Sequence, residues 1–182
     1  MKYMIASDIH GSSYYCRKMI EAYEREEADK LILLGDLLYH GPRNDLPRDY
    51  APKEVIELLN RKKEHLLCVR GNCEAEVDQM VLSFPVMAEY ALLSVDGLTI
   101  FATHGHLYNK GKMPPLKAND ILLHGHTHVQ AMEAVGENWY LNPGSVSIPK
   151  EGNESSYMVY ENHVFTIKNM EGTIISCQTI NP

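Results

Sequence analysis

Long hydrophobic runs are missing from this chain. No stretch of its 182 residues approaches the ~20 apolar residues of a membrane span. The amino-terminal apolar run breaks at Asp8, too early for the core of a secretory signal, so no membrane partner is expected. Positive charge is also scarce: 17 Lys and Arg stand against 24 Asp and Glu, a formal net charge of −7 with a sequence pI near 5.7. A protein that grips duplex nucleic acid through a basic face normally lies on the other side of neutrality, and no duplex nucleic acid partner is expected. Cysteine is limited to Cys16, Cys68, Cys73 and Cys177, with no Cys-x-x-Cys pair. Two disulfides are arithmetically open, but reduced thiols in the cytoplasm fit this usage better. Phenylalanine occurs three times and tryptophan once, against 11 tyrosines. That bias suits a partly wet surface or an interface, and a homo-oligomer is compatible with it. Internal repeats, low-complexity tracts and long linkers are absent, so residues 1–182 read as one domain.

What is present is the composition of a globular protein, 45% hydrophobic and 23% charged, with enough chain to bury a core. Lys2–Ser7, Leu31–Leu34 and Leu66–Val69 read as short buried strands. Between them, Ser12 or Ser13 can cap a helix running to about Glu27, and Pro52 opens a second with Val55, Ile56, Leu58 and Leu59 on one face. Tyr90–Val95 and Leu98–Thr103 flank Asp96-Gly97, a hairpin signal. Further strands are expected at Asp120–Leu123, Val129–Val135, Trp139–Leu141, Tyr157–Tyr160, His163–Ile167 and Thr173–Thr179. The pattern predicts an α/β protein of two sheets packed face to face with helices outside.

The polar residues fall at informative places. Asp8 and His10 follow the first strand, Asp36 the second and Asn72 the third; His104 follows the strand after the hairpin, and His126 and His128 follow Leu122-Leu123. Five apolar runs thus end in metal-competent side chains, beside Gly11, Gly35, Gly71, Gly105 and Gly125. Carboxyl ends of strands form the ligand crevice in open α/β sheets. Two carboxylates, several imidazoles and an amide suit Mn, Fe, Zn or Co better than calcium. Seven donors exceed the needs of one tetrahedral ion, so two ions sharing a carboxylate is the economical count. Two divalent ions beside Asp8 and Asp36 would leave roughly +2 at the site, which would attract a phosphate despite the acidic chain.

The ordered set Asp8-Ile9-His10, Gly35-Asp36, Gly71-Asn72, Thr103-His104-Gly105 and Gly125-His126-Thr127-His128 resembles the calcineurin-like metallophosphoesterase superfamily. With Asn142-Pro143-Gly144-Ser145 it is similar to the small bacterial YfcE-like phosphodiesterase branch. The resemblance implies a four-layer α-β-β-α sandwich and a dinuclear centre, with manganese first among the ions and zinc, iron, nickel or cobalt as substitutes. It implies that Asp8, His10, Asp36 and His128 hold one ion and Asp36, Asn72, His104 and His126 the other, with Asp36 bridging. The activity implied is hydrolysis of a small phosphodiester by a hydroxide bridging the metals, with Asp36 and Asn72 in the catalytic machinery.

One position departs from that pattern. Where the family commonly reads G-N-H-[ED], this chain reads Gly71-Asn72-Cys73-Glu74. A thiol of pKa about 8.5 serves poorly where imidazole at about 6.5 protonates a leaving group. Cys73 is either a filler beside a ligand or, as the sharper alternative, a nucleophile. His106 is a further catalytic candidate, and His40, Arg43 and Asn44 are candidates for the pocket mouth. His124 reads as a strand-end residue, His65 and His163 as surface, and Tyr14-Tyr15 as helix packing. Two other functions stay open: a phosphomonoesterase, and a catalytically silent binding scaffold such as the retromer subunit of this fold. Retention of His10, His104, His126 and His128 favours catalysis over the scaffold.

Overall fold

The computed structural model describes residues 1–182. The first half alternates strand and helix: β1 (Lys2–Ala6), α1 (Ser13–Glu26), β2 (Lys30–Leu33), α2 (Pro52–Asn60), β3 (Leu66–Cys68) and α3 (Glu76–Val81). Strands fill the remainder: β4 (Tyr90–Val95), β5 (Leu98–Thr103), β6 (Ile121–Leu123), β7 (Gln130–Val135), β8 (Asn138–Pro143), β9 (Ser156–Glu161), β10 (Val164–Asn169) and β11 (Ile174–Thr179). Helix α1 starts where Ser12 Oγ accepts the Tyr15 N–H and stops where Glu27 turns left-handed. Pro52 sits in the first turn of α2, which buries Val55 and Leu59 while Ile56 and Leu58 pack at the margin. Helix α3 has no counterpart in the sequence reading. It is six residues long and buries none of them, so it leaves no apolar period to detect.

The strands form a six-stranded sheet, ordered β11-β10-β9-β1-β2-β3, and a five-stranded sheet, ordered β4-β5-β6-β8-β7. Both are mixed: β1, β2 and β3 run parallel, as do β5, β6 and β8, with antiparallel neighbours outside them. Ile5, Ile32, Leu34, Val69, Ile100, Leu123, Leu141, Met158 and Phe165 meet between the sheets. Met4, Ala6, Leu31 and Leu33 point the other way and take Cys16, Met19, Tyr23, Val55 and Leu59 from α1 and α2. This is the period-two alternation of strands covered on both faces. The outer face of the five-stranded sheet, with Phe101, Leu122 and Tyr140, is covered by Tyr108, Met113 and Leu116 from the segment after β5. The two-sheet sandwich is therefore the expected one, with its helices gathered on the six-stranded side. All four cysteines are free, and no helix is long and apolar enough to cross a membrane.

The end of α1 is tied to its sheet by a buried carboxylate. Glu26 accepts from Tyr157 Oη at 2.7 Å and from Lys168 Nζ at 2.8 Å, with Lys2 Nζ 3.4 Å away. Burial pushes its pKa up, but the Lys168 and Tyr157 hydrogen bonds and the Lys168 and Lys2 charges outweigh that and hold it below the usual glutamate value. A depressed carboxyl contributes stability that is complete above its unfolded pKa, about 4.3, and disappears as pH falls through the lower folded value. Glu26→Gln should cost about 2 kcal/mol at neutral pH and flatten the acid limb of the stability curve below pH ~5. Urea titrations of both proteins across pH 3–7 check this.

Candidate metal centre

The loops that follow the parallel strands are laced together by backbone hydrogen bonds. Asp8 N–H donates to Gly35 O, His10 N–H to Asp36 O, and Gly125 N–H to His104 O. The chain can close this tightly only where side chains are missing. A Cβ on Gly35, which has φ +93°, would strike the Gly71 backbone, and one on Gly125 would overlap Ser7 and the Asp8 carboxylate. Five of the seven expected donors, Asp8, His10, Asp36, His126 and His128, have left-handed backbones, with φ between 50° and 65°. Such conformations cost on the order of 1 kcal/mol each for residues other than glycine, and they concentrate at functional sites.

The imidazoles are aimed from behind. His10 Nδ1–H donates to Tyr39 O at 2.8 Å, His104 Nδ1–H to Leu34 O at 2.7 Å, and His128 Nδ1–H to Ile148 O at 2.6 Å. Each bond fixes the tautomer and leaves Nε2 as a lone pair facing inward. Those lone pairs then meet other acceptors. His10 Nε2 is 3.2 Å from His128 Nε2, and His104 Nε2 is 3.0 Å from Asn72 Oδ1 and 3.1 Å from His126 Nδ1. Asp8 Oδ1, fully buried and without any hydrogen-bond donor, lies 3.2 Å from His128 Nε2 and 3.5 Å from His10 Nε2. A positive charge among such buried acceptors would satisfy them together.

Asp36 stands between the two groups. Its Oδ2 is 3.7 Å from His10 Nε2 and 3.4 Å from His104 Nε2, while Oδ1 accepts the Cys73 N–H at 2.9 Å. Burial opposes ionisation of His104, but Asp36 and Asp8 outweigh it and carry its pKa to about 9. Burial likewise works against the Asp8 carboxylate, and His10 and His128 override it to hold Asp8 well below the usual range. The residues fit a divalent metal: buried carboxylates, an amide oxygen and imidazole lone pairs with their outer nitrogens already engaged.

All seven expected donors come together. Cys73 Sγ also lies within 4.8 Å of donor atoms on His10 and Asp36. Burial, then the charges of Asp36, Glu74 and Asp8, push its thiol pKa up. His106 stands beside the cluster, its ring 5.5 Å from that of His104, with a buried Nδ1 lacking a partner, but it does not line the cleft. Of the three candidates for the mouth, His40 does not line it; its ring packs edge-on against Tyr39 and Tyr50. Arg43 and Asn44 do line the cleft, together with Gly41, Pro42 and Lys150. His124 is buried against Tyr140, His65 is exposed and His163 half-buried. A larger apolar groove of about 660 Å³, lined by Tyr3, Ile32, Leu66, Leu67 and Leu93, contains none of the seven donors.

Three contributors escape a reading based on strand ends. Ser145 and Ser147 Oγ–H both donate to Asp8 O, at 2.9 and 3.0 Å, bracing its strained turn. Glu74 is buried and accepts three backbone N–H groups, from Asp36 at 2.9 Å, Leu37 at 2.7 Å and Gly71 at 2.5 Å. It clamps the Asp36 turn to the Asn72 turn. Nothing in the sequence separates it from a solvated glutamate, because its partners are main-chain groups brought in by the fold. Glu74→Ala would leave those donors unpaired, and unfolding of the metal-free protein should become easier by about 3 kcal/mol. Thermal and urea melts in chelator check this; an unchanged midpoint would mean that the clamp carries no load.

This fold and donor set define the class. A model of the calcineurin-like phosphoesterase superfamily domain matches residues 1–163, and the chain belongs to that family, whose metallophosphoesterase chemistry implies a divalent metal. The chain is 45% identical to phosphodiesterase YfcE of Escherichia coli over 100% of both chains, and the solved structure of that phosphoesterase superposes with a TM-score of 0.97. Phosphodiesterase MJ0936 of Methanocaldococcus jannaschii is 25% identical, covering 79% of this chain and 83% of the relative. The vacuolar protein sorting 29 structure from Cryptosporidium parvum, 15% identical with a TM-score of 0.64 over 98% and 97% of the two chains, shares the fold.

Proposed function

We propose that this protein is a metal-dependent phosphodiesterase, built as a single metallophosphoesterase domain over residues 1–182 and working in the cytoplasm. Asp8, His10, Asp36 and His128 would hold one divalent ion, and Asp36, Asn72, His104 and His126 a second. Manganese is our first assignment; zinc, iron, nickel and cobalt suit the same mixed nitrogen and oxygen donors. When bound, such ions supply Lewis-acid charge to a phosphoryl group and lower the pKa of water.

The residues of the chain do the rest. Asp36, facing both groups of imidazoles, would be shared by the two ions and so set how far apart they are held. The outer hydrogen bonds of His10, His104 and His128 keep their lone pairs inward, so little reorganisation accompanies substrate binding. Asn72 turns its Oδ1 to His104 and keeps Nδ2 on the cleft side, 3.3 Å from Cys73 Sγ, where it can donate to a phosphoryl oxygen. No side chain with a well-matched pKa lines the cleft at position 73, so departure of the leaving group is unassisted and diesters with stable leaving groups are favoured. The observation that carries this reading is the set of buried, mutually facing acceptors at His10 Nε2, His128 Nε2 and Asp8 Oδ1.

Turnover of an aryl phosphodiester and of the matching monoester, with manganese added, tests it. Faster hydrolysis of the diester is expected. Preference for the monoester would replace this reading with a phosphomonoesterase, and metal-replete protein silent on both would favour a binding scaffold.

A further inference from the structure

Two cations stand over the cleft and belong to no ion pair. Ion-paired lysines and arginines of this acidic protein are Lys2, Arg17, Lys18, Lys62, Lys110 and Lys168. Arg43 and Lys150 are absent from that set, as are nine other cations, although Glu151 follows Lys150 directly and Asp45 lies two residues past Arg43; only these two line the same cleft as His10, Asp36, Asn72 and His128.

Neither residue is on a loose tail. Gly41-Pro42-Arg43-Asn44 is a tight turn, closed by Asn44 N–H to Gly41 O at 3.4 Å and by Asn44 Nδ2 to His40 O at 2.8 Å. Pro42 sets the backbone at its second position and so presents Arg43 at the third. A Cβ on Gly41 would lie 3.5 Å from Cys73 Sγ, which places this turn directly against the cluster. On the other side, Lys150 N–H donates to His128 O at 3.1 Å, and Lys150 O accepts from Asn153 N–H at 3.0 Å and Nδ2 at 2.7 Å. Glu151 and Gly152, with φ of 56° and 77°, complete that turn. Two separately braced turns thus hold a guanidinium and an ammonium at the rim of an anion-attracting site. Two unpaired cations lining one cleft of a protein of net charge −7 are placed to meet an anion that arrives with the substrate. One guanidinium and one ammonium balance a group of charge near −2, which is a terminal phosphate.

Resting on the phosphodiesterase reading, we propose that Arg43 and Lys150 form a subsite for a second phosphoryl group, and that the substrate is a phosphodiester carrying an additional terminal phosphate. The scissile diester would lie on the Asp8–His128 cluster and the extra phosphate at the rim.

Calorimetric titration with thymidine 5′-phosphate and thymidine 3′,5′-bisphosphate tests this without turnover, using manganese-loaded wild type, Arg43→Gln and Lys150→Gln. In wild type the bisphosphate should bind about tenfold more tightly than the monophosphate, the gain expected of charge-assisted contacts to a second phosphate. Each variant should lower that ratio by about threefold, because each removes one partly exposed charge. Equal affinity of wild type for the two ligands, or a ratio unchanged in both variants, would overturn the subsite. If a variant folds poorly, the wild-type ratio alone decides. Failure of the phosphodiesterase reading would appear separately, as absent hydrolysis of the simple aryl diester.

Discussion

Asp36→Asn should lose diester hydrolysis by about 10³-fold or more, the scale of several kcal/mol of charge stabilisation, while remaining folded. The physical reason is local. Asparagine can keep the Oδ1 contact to the Cys73 N–H, but its amide nitrogen would replace the carboxylate Oδ2 that now lies 3.4 Å from His104 Nε2 and 3.7 Å from His10 Nε2. Two N–H donors would then satisfy the lone pairs on both sides, filling the position that calls for a cation and removing a full negative charge. Metal content should fall with activity, and circular dichroism should be unchanged. His128→Ala takes one donor from one side only; its loss should be milder, about 10–100-fold, and partly rescued by excess metal. Normal metal content and turnover in Asp36→Asn would contradict the shared carboxylate.

At Cys73 the expected result is a change in leaving-group dependence. Aryl diesters with acidic phenols should turn over much faster than alkyl diesters, because the cleft supplies no matched proton donor. Cys73→His places an imidazole beside Asn72, with Glu74 and the Gly71 turn unchanged. Its benefit should appear on alkyl diesters, by up to about 10²–10⁴-fold, the range of general acid catalysis. Cys73→Ser should be close to silent on aryl substrates. A nucleophilic role requires the opposite, and the environment works against it: burial and three nearby carboxylates raise the thiol pKa, which depletes the thiolate needed for attack. A fully metallated but inactive Cys73→Ser would establish the nucleophile and refute the mechanism proposed here.

Much of this was legible before the structure because the chemistry sits where strands end. Short apolar runs stop at Asp8, Asp36, Asn72, His104 and His126, and a sheet that buries both faces has nowhere to put such residues except its edge. The hairpin at Asp96-Gly97 and the Ser12 cap were equally readable, since each depends on local backbone chemistry. Helix α3 was not, being too short and too exposed to imprint a period. The roles of Glu74, Ser145, Ser147 and Lys150 are not legible for another reason. Their roles depend on main-chain atoms from distant loops, and residue type alone does not reveal a partner such as the Asp36 N–H or the Asp8 carbonyl. His40 failed as a mouth residue because Tyr39 and Tyr50 offered its ring an aromatic contact away from the cleft.

Phosphodiester hydrolysis as proposed here requires two ions at the strand-end cluster. The most direct test is to strip the protein with chelator, refill it with manganese, remove loosely bound ions by dialysis, and count metal against protein. Two ions per chain in wild type, falling to one or none in Asp36→Asn, is the predicted result. Wild-type protein that hydrolyses the aryl diester at full rate while holding no metal, or holding only one ion per chain, would contradict it.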